Sequence, residues 1–285
     1  MKILLSLLLF ANICFSQNTI IWEVIHPETN KRSVIVGTYH HIGNSFVDSL
    51  PIIKAALLNA EAAIFESIDE EAQLTEILQK RKEQTDLSKL FNEEDYNRLI
   101  AISKEWKTSV FQLRPVEILI TLRREFEVSK CKTVKPTDKW DHFDNYLIDI
   151  ARKNNKYLVG LETDTQQLDI LNEIETSWGT EQVCQEISFW ISKLSGEEAS
   201  YEECHSVEQY LRFEIDYAFG SDCEDDILVT DRNRVWMEKL TTLLAQKNCF
   251  LAVGLLHLKY SCGLLESLRR KGFIVRPLPI SQAIP

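Results

Sequence analysis

Two stretches of the chain share one grammar. Val34-Ile-Val-Gly-Thr-Tyr-His40 and Phe250-Leu-Ala-Val-Gly-Leu-Leu-His257 each run an apolar strand into Gly, then two residues, then His. Glycine at that spacing removes the side chain that would keep backbone or ligand away from the imidazole. Two other apolar runs end on a carboxylate: Ala62-Ala-Ile-Phe65 leads to Glu66, and Lys156-Tyr-Leu-Val-Gly-Leu161 leads to Glu162. If the four strands end side by side, His40, Glu66, Glu162 and His257 share the crevice where open α/β sheets build their sites. Two imidazoles and a carboxylate suit zinc, manganese, cobalt or iron, with positions left for water. An ion so held activates water for hydrolysis or polarises a carbonyl. Without an ion, a His–Glu pair is a general base.

The other candidates read as bland. His41 follows His40 directly, and successive strand residues point to opposite faces, so it is set aside. His142 and His205 lie among charged helical residues and read as solvated. The acidic runs Glu197-Glu198, Glu202-Glu203 and Glu224-Asp-Asp226 read as solvated faces. The last of these lacks the glycine and spacing of a calcium loop.

The elements that position these residues follow from periodicity and turn chemistry. Thr19–Ile25 and Ser33–Tyr39, separated by His26-Pro-Glu-Thr-Asn-Lys31, predict an antiparallel hairpin. Pro51 opens a helix that runs to Glu61, before the strand that reaches Glu66. Residues from about Glu70 to Lys130 carry no Gly and few β-branched runs, which predicts an inserted helical layer. Arg114-Pro115 within it is a first turn or a kink. A helix is expected over Trp140–Asn154, and Thr163-Asp164-Thr165 caps another that begins near Gln166. Residues 170 to 247 read as mostly helical, with Asp231-Arg-Asn-Arg234 leading the last helix. The chain closes with strand, Gly-x-x-His, helix Leu264–Lys271 and strand Phe273–Pro277. This repeats the order of the first unit and predicts an internal duplication. The fold class is α/β, a central mixed β-sheet flanked by helices.

Bulk composition sets the limits. The 285 residues are 45% hydrophobic and 26% charged, ordinary for a globular chain. A net charge of −11 argues against a nucleic-acid partner and against docking on anionic lipid. Met1-Lys2, the apolar run Ile3–Phe10 and Ser16-Gln17 read as a secretory signal peptide over residues 1–17, leaving one domain over 18–285. The expected location is periplasmic or secreted, with a retained or lipidated anchor through Cys14 as the alternative. No later run is long and apolar enough to cross a bilayer. Loss of Cys14 leaves Cys131, Cys184, Cys204, Cys223, Cys249 and Cys262, an even number that permits disulfides in fifteen arrangements. Cys249 also suits a buried free thiol.

Gly37-Thr-Tyr-His40, Phe65-Glu66, Gly160-Leu-Glu-Thr163 with Gln166, Arg232-Asn233 with Trp236, and Ala252-Val-Gly-Leu-Leu-His-Leu258 occur in this order. Together they make the chain resemble the TraB/GumN family, whose animal relatives are the Tiki proteases. The resemblance implies an α/β fold with helical layers and a cleft. It implies a metal-dependent protease in which His40, His257 and Glu66 hold a divalent ion, manganese, cobalt or zinc. It places Arg232 and Asn233 at the cleft, where Arg232 supports an oxyanion or substrate carboxylate, or forms an ordinary ion pair. Asn233 and Glu162 are expected to contact substrate, with packing and helix capping as the alternative for Glu162. The function expected is an exported metal-dependent hydrolase acting on peptides. The alternatives are a metal-independent, histidine-based hydrolase of the erythromycin-esterase kind, and a haem- or iron-binding module like ChaN relatives, without turnover.

Overall fold

A computed structural model describes residues 18–196, 201–223 and 227–280. The expected signal peptide and the acidic runs at 197–198 and 224–226 lie outside the described residues.

Six strands form one mixed sheet: β1 (Ile21–Ile25), β2 (Arg32–Thr38), β3 (Ala62–Phe65), β4 (Tyr157–Gly160), β5 (Cys249–Gly254) and β6 (Ile274–Pro277), in the order β4-β3-β5-β2-β1-β6. β1 and β2 are the antiparallel hairpin expected, with Ile21 opposite Val36. Its turn closes through Asn30 at φ 56°, a conformation asparagine tolerates. β4, β3, β5 and β2 are mutually parallel, and β6 pairs antiparallel with β1. Helices cover both faces of the centre, so β3 and β5 are buried along their full length and read as continuous apolar runs. The parallel strands release their carboxyl ends along a single edge of the sheet.

Ile53 and Leu57 of the helix Pro51–Asn59, Leu147 and Ala151 of Phe143–Lys153, Leu240 and Leu244 of Arg232–Gln246, and Leu265 and Leu268 of Leu264–Arg270 pack with the strands into one core. The inserted helical layer has a second core of its own. Leu99, Leu122 and Ile187 meet there, from helices Glu93–Ile102, Pro115–Ser129 and Thr180–Ser195. Pro115 occupies a first turn and makes no kink, with Arg114 as the cap residue, whose backbone N–H donates to Glu117 Oε2 at 2.9 Å. Thr163 and Gln166 form a capping box. The helix expected from Trp140 begins at Phe143, because the His142 imidazole is its cap.

The topology does not confirm the duplication. The connection from β2 to β3 passes over one strand, whereas that from β5 to β6 passes over two and runs toward the opposite edge. Among the described residues there are two disulfides, Cys131–Cys204 and Cys223–Cys262. Cys184 and Cys249 are free, and Cys249 is buried. No helix among the described residues is long and apolar enough to cross a membrane.

Candidate metal centre

The register of the parallel strands brings their ends level. Thr38 lies beside Gly254, and Phe65 lies between Ala252 and Gly160. Glu66 follows β3 directly, His40 comes two residues after β2, and the 3₁₀ turn Leu255–Leu258 after β5 carries His257. Glu66 Oε1 stands 4.0 Å from His40 Nε2 and 3.7 Å from His257 Nε2. The same oxygen accepts the Gly254 N–H at 2.7 Å. A Cβ on Gly254 would lie 3.2 Å from both Glu66 Oε1 and His40 Nε2, and 3.7 Å from His257 Cδ2. This glycine keeps open the space the three side chains enclose. Gly37 serves packing instead, since a Cβ there would meet the Leu255 and Leu258 side chains at 2.9 Å.

Each imidazole has its Nδ1 engaged and its Nε2 turned toward Glu66. His40 Nδ1 bonds Asp144 Oδ2 at 2.7 Å, and the Thr38 hydroxyl donates to the same carboxylate at 3.0 Å. His257 Nδ1 donates to Asn233 Oδ1 at 2.8 Å, while Asn233 Nδ2 donates to the His257 carbonyl at 3.1 Å. The acceptors on Nδ1 fix the tautomer and the ring plane, as partners behind metal-ligating histidines do. The Trp236 ring packs on His257 with centroids 4.4 Å apart.

The charges follow. Burial raises the Glu66 pKa, but His257, His40, Arg232 and the Gly254 N–H outweigh it and bring the carboxyl down to about 2. Burial also opposes charge on His40, yet Asp144 and then Glu66 lift it to about 9. His257 has no carboxylate on its Nδ1, so burial prevails and holds it down to about 3, neutral. The metal-free site therefore pairs one charged and one neutral imidazole around an ionised carboxylate.

Arg232 locks the carboxylates. Its Nη2 donates to Glu66 Oε2 at 2.6 Å and to Glu162 Oε1 at 2.5 Å, its Nε to Glu162 Oε2 at 3.1 Å, and its Nη1 to the Leu228 carbonyl at 3.0 Å. The Trp236 indole N–H also reaches Glu162 Oε2, at 3.2 Å. Arg232 thus makes ion pairs of the kind its sequence context allowed. Glu162 and Asn233, expected to contact substrate, meet other side chains of the protein here. Asn233 is buried and the Glu162 side chain is largely covered, and their polar atoms bond Arg232, Trp236 and His257.

Three residues that sequence reasoning passed over line the same cleft, a space of about 290 Å³ whose other wall includes Ser67, Asp69, Asp164 and Gln167. Asp144 lies three, four and seven residues before the buried Leu147, Ile148 and Ala151, so a carboxylate on the apolar face of a helix was its signal. His142, read as solvated, stacks on His40 at 5.4 Å and caps its helix by accepting the Asn145 N–H at Nδ1. Burial drives its pKa down to about 3. His41 escapes strand alternation because β2 ends at Thr38. Its Nδ1 pairs with Glu127 Oε2 at 2.7 Å, and Tyr39 donates to the other oxygen at 2.8 Å. His40, His142 and Asp144 present ligand atoms within 4.8 Å of one another, a second grouping that could hold an ion.

Fold and site together define an α/β protein with a candidate metal centre at the carboxyl ends of its parallel strands. A profile of the TraB/PrgY/gumN family matches residues 20–277, nearly the whole chain, and the protein belongs to that family. No curated protein and no solved structure is significantly similar to it.

Proposed function

We propose that the protein is an exported metal-dependent hydrolase acting on peptides, with His40, Glu66 and His257 as the ligands of a divalent ion. The observation that carries this reading is the glycine-lined space at Gly254, faced by two Nε2 atoms and one carboxylate oxygen. Donors bound at about 2.0–2.2 Å to one ion stand up to about 4.2 Å apart, and both Glu66–imidazole gaps fall within that limit, so the reading rests on those two gaps, whereas His40, His142 and Asp144 are the group whose three ligand atoms all lie within 4.8 Å. In the alternative grouping Asp144 already takes the proton on His40 Nδ1, and His142 Nδ1 already accepts a helix N–H. The mixed nitrogen and oxygen donors suit manganese, cobalt or zinc.

When bound, the ion supplies a Lewis acid and lowers the pKa of water for attack on a carbonyl. The chain's own residues prepare the site. Asp144 and Asn233 hold the two rings, and Arg232 occupies Glu66 Oε2 so that Oε1 stays turned inward. Ser67, Asp69, Asp164 and Gln167 offer hydrogen-bonding groups to a peptide lying in the cleft. Peptides as the substrate class follow from the likeness to Tiki proteases. Export is supported by the signal-like residues 1–17 and by two disulfides, which persist in oxidising compartments.

A metal-free histidine base is disfavoured, because His40 is held charged and His257 is held neutral by burial, so neither is poised near neutrality. The charged lining of the cleft also suits a porphyrin ring poorly. The test is metal analysis of the purified protein beside His40→Ala and His257→Ala, followed by digestion of a peptide library with Mn²⁺, Co²⁺ or Zn²⁺ added. The expected result is one ion per chain, lost in both variants together with cleavage. Unchanged metal content in the variants overturns the ligand assignment, and absence of cleavage in the loaded wild type overturns the peptidase reading.

A further inference from the structure

His257 lies five residues before Cys262, and the loop between them is held from outside. Tyr260 adopts φ +67°, a left-handed conformation unusual for a tyrosine, which persists only where surroundings impose it. The surroundings here are the segment from Tyr217 to Cys223. Tyr260 N–H donates to the Tyr217 carbonyl at 2.8 Å, and Ser261 N–H donates to the Ser221 carbonyl at 3.1 Å. The Cys223–Cys262 disulfide, Cα–Cα 5.9 Å, closes the clasp. Beyond it the chain is tight, since a Cβ on Gly263 would lie 2.3 Å from the Lys259 carbonyl oxygen.

The clasp reaches the site through one side chain. Asn233 Nδ2 donates to the Cys262 carbonyl at 3.3 Å and to the His257 carbonyl at 3.1 Å, while Asn233 Oδ1 accepts from His257 Nδ1. The Thr230 hydroxyl lies 3.6 Å from Cys262 Sγ, one turn before Asn233. Asn233 therefore links the His257 ring to the Cys262 carbonyl, which also accepts from the Ser267 hydroxyl at 3.4 Å. The other disulfide, Cys131–Cys204, joins the end of the inserted layer to the helix Tyr201–Leu211 and has no bond to Asn233 or His257 among the contacts described.

We propose that the Cys223–Cys262 bridge is the positioning element for His257, and that its reduction weakens ion binding at the His40–Glu66–His257 centre while the sheet stays folded. This rests on the ion reading of the site. The step is thiol–disulfide exchange with a dithiol reductant. Two electrons and two protons pass from the dithiol to the bridge, giving two cysteine thiols and the cyclic disulfide of the reductant. Freed of the bridge, the loop can leave the left-handed conformation, and the Cys262 carbonyl moves away from Asn233.

The test compares wild type, Cys223→Ala/Cys262→Ala and Cys131→Ala/Cys204→Ala. Co²⁺ and Mn²⁺ affinities are read by competition with a chromogenic chelator, and amide hydrogen exchange is followed over residues 255–263. The expected result is at least about tenfold weaker ion binding and faster exchange in the first variant, the size typical of losing support behind a ligand. The second variant should stay within about twofold of wild type. If the first variant fails to melt cooperatively, dithiol treatment of Cys131→Ala/Cys204→Ala reduces the remaining bridge selectively. Wild-type affinity after loss of the 223–262 bridge overturns the proposal. If wild type binds no ion, the ion reading falls and the inference with it. Ion binding that ignores His257→Ala removes the ligand assignment, and unchanged exchange over 255–263 then overturns the positioning role as well.

Discussion

Asp144 and Asn233 perform the same task with different chemistry, and the difference sets the charge of the centre. A carboxylate behind His40 keeps that ring protonated in the metal-free protein, whereas an amide behind His257 leaves it neutral. The two rings therefore push stability in opposite directions with pH. His40, raised to about 9, contributes stability that is full below its unfolded value of 6.5 and is lost as pH climbs through 9. His257, lowered to about 3, refuses a proton that the unfolded chain accepts, so stability falls as pH drops from 6.5 toward 3. The metal-free protein should melt highest near pH 6.5 and lower on both sides, which calorimetry across pH 4–10 checks. Each limb is at most about 1.4 kcal/mol per pH unit, and the alkaline limb is smaller because the His40 side chain is 42% open to the cleft. Ion uptake at pH 7 should release about one proton, the one on His40, and none above its pKa; titration calorimetry in two buffers of different ionisation enthalpy reads this directly. Asp144→Asn keeps the shape and removes the charge. It should weaken ion binding about 10- to 100-fold, while cooperative melting is retained.

At the scale of elements, the strand ends do the positioning, and Gly254 is where this is most exposed to test. Its φ of −51° and ψ of 138° suit any residue, so Gly254→Ala brings no backbone strain. What the methyl meets is Glu66 Oε1 and His40 Nε2, each 3.2 Å away. The expected outcome is a folded protein whose ion affinity falls by at least about tenfold, measured by equilibrium dialysis with Mn²⁺. An affinity equal to wild type would show that the ion does not occupy the space beside this glycine. Strand ends were also the most legible feature in the sequence, because a run such as Phe250–Val253 is continuously apolar and ends on a glycine. Asp144 and His142 were not legible, since both come from the start of a helix whose docking is fixed by tertiary packing. His41 was misread for a narrower reason. Alternation holds only within a strand, and β2 stops two residues before His40.

At the scale of the molecule, the sheet and the inserted layer have separate cores, and the centre belongs to the sheet. An ion that binds only the folded sheet stabilises the molecule by mass action, about 2.7 kcal/mol at a hundredfold excess over Kd. Thermal unfolding with and without Co²⁺ should show this increment in wild type and lose it in His257→Ala. The α/β class and the helical insertion were legible from composition and periodicity. The strand order was not, because nothing local states that β5 inserts between β2 and β3. That insertion has a kinetic consequence. The Ser33–Cys249 contact that marks the start of the β2–β5 pairing joins residues 216 apart in sequence, and β1 gains its outer neighbour only from β6. Such long loops must close before the pairing rewards them, which slows folding. The two histidines therefore cannot meet until nearly the whole chain is available. The centre is therefore among the last features of the fold to form, assembled only after β2, β3 and β5 have all been made and paired.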